Sequence, residues 1–592
     1  MSKLSILRSK HTHRALGAIF GQMGMLTFSR SMMKAAMRAR ATGTTAGQQF
    51  HPALWEIIGD REAVVDGELR LTFREFRERV LRTADALHGL GLREGDACAV
   101  LLGNGVSWFE ISQACNLSGY TMPMLNWHLK PAELIQCIEK AGAKVLIVDR
   151  AFLANVEQVR ESLLKVNHIV VVGEGTIPDG MKSLRELVSV ATPSLHPGRF
   201  HIAAKPYSGG TTGTPKFINM DQAAMFGDED GKRRGASREE AVRMTVMQLS
   251  ALGWYGLGKL HDPVTKNVRS LIPGPLYHAG VQVAVLPFLF GGTVVPMHKF
   301  TPEGFLSAIQ DERINWTFVA PTMLERVLAL PDEIKDKYRL GSMRSLICAA
   351  APCPPHIKQE INRLFRRQGA PDDVFHEYYG ASETGIITIL LPEDYQADPR
   401  RYRSVGKVRA AECRIYNIKA GHWEEAGKVG SVLVRSALTF GLQYVGESKK
   451  TDECFLSIDG QLWYDDGLIG YLDADEFLYL TSRAKEMIIC GGVNIFPNEI
   501  EDIIKRHHSV LDAAVVRAPD PDLGEVPAAV VQLRENSTLT ESELLAHCKD
   551  FGLYGFKLPR HVEFAALPRN LAGKLPKKEL EDRFWRGVER IG

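Results

Sequence analysis

The sequence predicts an α/β protein: a large N-terminal part with doubly wound sheets, a β-rich subdomain, and a small α+β domain at the C-terminus. Three observations carry this. Between about residues 72 and 172, short apolar runs alternate with helical patterns, the alternation produced by a parallel sheet covered on both faces. The stretch from Trp463 to Arg483 reads as a β-meander. At 592 residues the chain is too long for one hydrophobic core, so two or more domains are required.

The elements follow in order. Thr72-Phe73-Arg74-Glu75 is a capping box that opens an amphipathic helix running to about His88. An apolar run at 97–102 precedes helical stretches at 107–118 and 131–141, and strands follow at 144–149 and 168–172. Asn126-Trp127-His128-Leu129-Lys130-Pro131 reads as a loop entering a helix. Residues 221–237 are charged and glycine-bearing, as expected of a solvent-exposed insertion. A strand at 270–272 leads into Pro275-Leu276-Tyr277-His278-Ala279-Gly280, residues 318–323 pass from strand to helix, and 346–351 form an apolar strand. Beyond the meander come a strand at 487–490, a helix at 498–507, strands at 513–516 and 528–533, and a helix opened by the capping box Thr540 to Glu543.

Composition narrows the function. The chain is 45% hydrophobic and 24% charged with a net charge of only +2, which argues against nucleic acid as a main partner. Nine scattered cysteines include no CxxC pair and no ligand spacing with histidine, so neither a disulfide framework nor structural zinc is expected, and a reducing compartment fits. The N-terminus differs from the rest. Before Glu56 there is no Asp or Glu, while Lys3, Arg8, Lys10, Arg14, Arg30, Lys34, Arg38 and Arg40 are basic. The apolar part at 15–28 is broken by Gly17, Gly21, Gln22 and Gly24 and is too short to span a bilayer. A basic segment resting on a membrane surface, an acid-poor transit peptide and a poorly ordered extension are the readings it admits.

The chemistry centres on Tyr207-Ser208-Gly209-Gly210-Thr211-Thr212-Gly213-Thr214-Pro215-Lys216. Glycines let backbone N–H groups approach an anion, the hydroxyls add donors, and Lys216 adds positive charge. It is not a Walker P-loop, because Pro215 separates Thr214 from Lys216 where that motif needs Gly-Lys-Ser/Thr in succession. A second motif, His376-Glu377-Tyr378-Tyr379-Gly380-Ala381-Ser382-Glu383-Thr384-Gly385, follows, and a third, Ala572-Gly573-Lys574-Leu575-Pro576-Lys577, lies near the end. Together these resemble, in the same order, the signatures of the adenylate-forming superfamily of acyl-CoA synthetases, luciferases and peptide-synthetase adenylation domains, over about residues 60–585.

The resemblance implies roles. Ser208, Gly209, Gly210, Thr211, Thr212, Gly213, Thr214 and Lys216 hold the ATP phosphates; Tyr379 and Gly380 meet adenine; Ser382, in the usual threonine place, bonds the α-phosphate; Glu383 holds Mg²⁺. His278 sits at the mouth of the acyl pocket as a substrate-positioning residue. Arg483 contacts the ribose, Lys485 is the hinge to a mobile C-terminal domain, Gly491 and Gly492 line the CoA thiol channel, and Lys574 is the mobile catalytic lysine. Domains are expected at 1–50 (a basic extension), 51–484 and 485–592. Departures from the pattern stand out. Leu468 occupies the place of the ribose-binding aspartate, with Asp466 two residues away as the candidate replacement, and Ala350, Ala351 and Glu476 stand where glycine is common. The implied activity is ATP-dependent ligation of a fatty or bulky hydrophobic acid, such as a steroid side-chain acid, to CoA. A ligase loading a carrier protein and a non-catalytic nucleotide-binding member are the rivals, Leu468 favouring the last.

Overall fold

The computed structural model describes residues 9–207, 216–220, 235–256, 267–278, 280, 282–491, 493–569 and 575–586. Ser208 to Thr214, Gly492, Lys574 and most of the charged insertion lie outside the described residues. The chain divides into two compact units. One comprises the residues up to Glu412 with Arg435–Leu462, the other Cys413–Val434 with the chain from Trp463 onward.

The first unit is built on two largely parallel sheets. In the larger, Phe375–Ala381, Ser345–Cys348, Trp316–Val319, Arg269–Ile272, Thr293–Pro296 and Glu62–Asp66 run parallel, with antiparallel strands at both edges. The smaller places Ala97–Leu101, Ala143–Asp149, His168–Val172 and Lys182–Ser183 side by side, all parallel. Such strands are covered on both faces, hence runs like Ala97–Leu101 that are buried at every position. Between them the helices start where the sequence says. The Thr72/Glu75 box caps Phe73–Gly89, and Pro131 opens Pro131–Ala141, which Gly142 ends in the left-handed conformation.

In the second unit, His422–Trp423, Glu412–Asn417, Gly430–Arg435, Gln461–Leu472 and Leu478–Arg483 belong to one antiparallel sheet. A further sheet orders Val493–Ile495, Ile488–Cys490, Gly524–Leu533 and Val510–Asp520, with His561–Phe564 parallel to Gly524–Leu533. Pro497–Ile504 and Glu541–Asp550 are its helices, the second capped by Thr540 and Glu543.

The N-terminus is not a loose extension. Lys10–Met23 (α1), Met25–Thr42 (α2) and Ala46–Ile57 (α3) fold onto the first unit. The Arg14 guanidinium lies 3.3 Å from the centre of the Trp254 ring, against which Arg409 also stacks at 4.8 Å. Gln22 donates to the carbonyl of Pro287 at 2.9 Å, and Gln48 to that of Leu117 at 2.7 Å. Trp55 is fully buried against Phe76 and Phe288. Lys34 (2.6 Å) and Arg38 both pair with Glu56, the first acid of the chain.

Candidate active site

Around the phosphate-type loop the structure describes the two ends. Tyr207 and Phe217 form an isolated antiparallel bridge, and their rings pack 5.1 Å apart. The Tyr207 hydroxyl donates to the carbonyl of Cys137 at 2.7 Å. Directly after Phe217, Ile218–Met220 pairs with Leu442–Tyr444, and Val445 N–H donates to the Phe217 carbonyl at 3.1 Å.

That pairing brings two predicted residues together. The Lys216 ammonium lies 4.3 Å from the centre of the Tyr444 ring, and the Tyr444 hydroxyl donates to Glu383 Oε1 at 2.9 Å. Tyr444 therefore holds the loop cation and the acidic residue of the second motif on one scaffold. No local pattern signals this role, because Tyr444 lies in a short strand some sixty residues past Glu383. Glu383 itself is half-buried, and its Oε2 meets no donor among the described residues. A carboxylate oxygen so placed suits a hard divalent cation such as Mg²⁺.

The strand carrying Tyr379 turns sharply into the next. A Cβ on Gly380 would lie 2.0 Å from the Gly385 carbonyl oxygen, so only glycine fits there. Thr384 Oγ1 accepts from Ala381 N–H at 3.0 Å, which fixes the turn bearing Ser382 and Glu383. Beneath it, the buried Lys358 ammonium pairs with Glu377 and donates to the Ser404 carbonyl at 3.1 Å; burial outweighs the lysine and raises the Glu377 pKa. Tyr379 and Ser382 are both partly exposed, as residues that meet a ligand must be.

His278 follows the Arg269–Ile272 strand. Its ring lies 4.4 Å from that of Tyr277, which Trp127 meets edge-on at 4.6 Å. The loop at 126–131 therefore does more than enter a helix: it packs against the His278 segment. Buried Asn104 orders the same segment, donating to Gly274 O at 2.8 Å and accepting from Leu276 N–H at 3.0 Å. A polar residue just after the buried Ala97–Leu101 strand was the available signal for it. Gly280 completes the contact, since a Cβ there would lie 2.8 Å from Phe318 Cζ and 3.4 Å from the Tyr378 hydroxyl.

Two of the departures from the family pattern have a backbone signature. The strand expected at 346–351 ends at Cys348, and Ala350 then adopts φ +76°, the left-handed region that favours glycine. Glu476 does the same at φ +66°. Ala350 and Ala351 are exposed on the segment that the resemblance assigns to the acyl channel. Ala350→Gly is expected to leave thermal stability unchanged or raise it by up to ~1 kcal/mol, the left-handed penalty being partly offset by extra freedom in the unfolded chain. It should also favour bulkier acids. Melting curves and kcat/KM for a small and a bulky acid check both points, and a clear loss of stability would contradict the backbone assignment.

The remaining candidates lie in the second unit. The Gln461–Leu472 strand is bulged: Leu433 faces Asp465 and Ser431 faces Ile469, so Val432 alone opposes Asp466, Gly467 and Leu468. Gly467 takes φ +69° and donates its N–H to Asp465 at 2.8 Å. On the other side Leu468 pairs directly with Arg483, putting an apolar side chain beside the arginine. Protein crowds the Asp466 carboxyl, and the resulting desolvation pushes its pKa up to about 7 while the Arg483 charge pulls it back. Lys485 is exposed in the short turn Ala484–Glu486, and Gly491 has φ +55° with Leu523 and Phe556 nearby. The segment carrying Lys574 is flanked by three ion pairs, Arg569 with Asp512 and half-buried Lys577 with both Glu501 (2.7 Å) and Glu486 (3.3 Å). These carboxylates hold the Lys577 pKa above that of a free lysine despite burial.

The Lys216, Tyr444 and Glu383 contacts beside a parallel α/β sheet, with a small α+β element downstream, go with the resemblance to adenylate-forming enzymes. The family model described as "AMP-binding enzyme" matches residues 56–442, and "AMP-binding enzyme C-terminal domain" matches 499–574. The chain belongs to the AMP-binding enzyme family. It is 28% identical over 549 residues to the medium-chain acyl-CoA ligase ACSF2, mitochondrial, of Macaca fascicularis, covering 89% of this chain and 85% of the relative. The same identity and length relate it to a CoA ligase of Rhodococcus jostii named for a methyl-dioxo-octahydroindenyl propanoyl group, with 89% and 96% covered. The solved structure of the amide bond synthetase McbA from Marinactinospora thermotolerans superposes with a TM-score of 0.73 at 26% identity, covering 91% of this chain and all of that one.

Proposed function

We propose that the chain ligates a hydrophobic carboxylic acid, of medium-chain or bulky fused-ring type, to CoA using ATP. The supporting observation is the Lys216–Tyr444–Glu383 arrangement, which sets a cation and a carboxylate against one tyrosine next to the glycine- and threonine-rich segment. The named substrates of the Macaca and Rhodococcus relatives support the acid and the acceptor.

In the first half-reaction the acid's carboxylate attacks the α-phosphorus of ATP and pyrophosphate leaves, giving an acyl-adenylate. Backbone N–H groups and hydroxyls of Ser208 to Thr214, Thr212 included, cradle the phosphates, and Lys216 offsets their charge. Glu383 would hold Mg²⁺, which when bound neutralises phosphate charge that would otherwise repel the attacking carboxylate. Tyr379 and Gly380 take adenine, Ser382 the α-phosphate, Asp466 and Arg483 the ribose, while His278 positions the acid. Lys574 stabilises the charge gathered in the transition state. In the second half-reaction the CoA thiolate attacks the acyl carbon beside Gly491 and Gly492, and AMP leaves. Lys485 is the pivot between the two arrangements, with residues 485–592 as the moving domain. The enzyme works in the cytoplasm with a peripheral membrane contact through the segment at 1–50.

Pyrophosphate release across acids of graded size, with and without CoA, tests the reading. Release with acids of medium or larger size and thioester formation only when CoA is added are the expected results. Transfer only to holo-carrier protein or only to an amine would replace CoA as acceptor, and no release with any acid would favour a non-catalytic nucleotide-binding protein.

A further inference from the structure

Helix α2 (Met25–Thr42) has two unlike faces. Phe28, Ser31, Lys34, Ala35 and Arg38 turn inward, where Ser31 and Ala35 are buried, Phe28 packs on Phe50, and Lys34 and Arg38 pair with Glu56. The spacing of four and three residues then puts Leu26, Arg30, Met33, Met37 and Arg40 in one outward row, with Met25, Ser29, Met32 and Ala36 beside it. These outward side chains are exposed: Leu26 by 74%, Met37 by 67%, Met25 by 65% and Met33 by 64%.

Buried small residues and exposed large apolar ones invert the usual surface helix. The charges on the outward face are sorted as well. Its ionised side chains, Arg30 and Arg40, are cationic, and no acidic residue precedes Glu56, which is already engaged by Lys34 and Arg38. The helix lies in the first unit, is too polar on its inner side to span a bilayer, and no helix among the described residues is long and apolar enough to do so. A flat apolar face edged by cations alone is complementary to one surface, an anionic lipid bilayer, into whose headgroup layer such a helix sinks its apolar side.

We propose that the outward face of α2 docks the protein on anionic membranes, with Met25, Leu26, Met33 and Met37 entering the interface and Arg30 and Arg40 meeting lipid phosphates. This rests on the membrane contact proposed above and assigns it to particular side chains. It gives the enzyme a place beside the bilayer into which its hydrophobic acid partitions.

Deleting the N-terminus is a poor test, because the deletion would also remove the Arg14, Gln22 and Gln48 contacts that bind α1 and α3 to the fold. Exposed side chains allow a cleaner one. The full chain, the triple variant Leu26→Glu/Met33→Glu/Met37→Glu and the double variant Arg30→Gln/Arg40→Gln are sedimented with vesicles of phosphatidylcholine alone and of phosphatidylcholine with phosphatidylglycerol. Melting curves and turnover of a short water-soluble acid serve as fold controls. The parent is expected to bind the phosphatidylglycerol vesicles preferentially and less as salt rises. The triple variant should bind at least about tenfold more weakly, and each lost arginine should weaken binding by about fivefold. Failure of the parent to bind either vesicle would overturn the membrane contact itself. Parent binding that the variants retain would overturn only the assignment to α2, equal binding to both vesicles would overturn the anionic preference, and an α2-dependent dimer without vesicle binding would make a second copy the occupant.

Discussion

Lys574→Ala is expected to reduce pyrophosphate release by a factor of at least ~10²–10³, the usual loss when one donor to a developing transition-state charge is removed. Thioester formation from supplied acyl-adenylate should remain largely intact. The split follows from where the lysine sits in the chain. The described residues on either side of it pair within the second unit, Arg569 with Asp512 and Lys577 with Glu501 and Glu486. Under the proposed mechanism Lys574 serves adenylation, and Gly491 and Gly492 serve the thiol step. Single-turnover assays of each half-reaction measure the split, and equal loss in both would contradict the two-orientation model.

The second large effect concerns the ribose. A charge-assisted hydrogen bond contributes ~1.5–3 kcal/mol, or about ten- to a hundredfold in affinity, and Leu468 cannot supply one. The bulge at Gly467 changes the geometry that an extended strand would impose, because it takes Asp466 out of the alternation and leaves it under the influence of Arg483. Asp466→Ala should therefore raise the ATP requirement by about ten- to a hundredfold, and Leu468→Asp should help little. The pKa adds a sign. With its folded value raised to about 7, Asp466 is neutral below that pH and ionised above it, so ATP affinity should improve as pH rises through about 7. Stability runs the other way: the folded state holds this proton more tightly than the unfolded one, so the group's contribution falls as pH rises from the ordinary aspartate range to about 7. Titrating ATP against parent, Asp466→Ala, Asp466→Asn and Leu468→Asp at pH values on either side of 7 separates the cases. A pH dependence that survives in Asp466→Asn would assign it to another group.

What the sequence made legible follows from the range over which each feature is determined. Capping boxes at Thr72 and Thr540 and the prolines opening helices act within four residues, so those helix starts could be read directly. The Ser208–Lys216 segment, whose composition also suits an ordinary loop, pointed to phosphate only together with the later motifs in the same order. Tyr444 and Asn104 escaped notice because their roles depend on partners about 60 and 170 residues away. The N-terminus was ambiguous for the same reason. Its glycines and lone arginines look like an unstructured basic leader until Arg14 meets Trp254 and Gln22 meets the Pro287 carbonyl. Ala350 shows the opposite case: a methyl at a glycine place was visible in the sequence, while the left-handed turn that ends its strand needed the backbone.

The pairing of Ile218–Met220 with Leu442–Tyr444 also sets an order of events in time. On a growing chain the first partner emerges more than two hundred residues before the second, which at ~5–20 residues per second is a wait of roughly 10–45 s. During that interval the bridge between Tyr207 and Phe217 can close, because few residues separate them, but nothing holds the strand that follows or brings Lys216 towards Glu383. Closing so long a loop is slow compared with local helix formation, so the Lys216–Tyr444–Glu383 grouping is completed late, after the parallel sheet beside it has its strands. A nascent chain halted short of Leu442 would carry the sheet, the Tyr207–Phe217 bridge and Glu383, and still lack the Tyr444 strand that draws the cation and the carboxylate together.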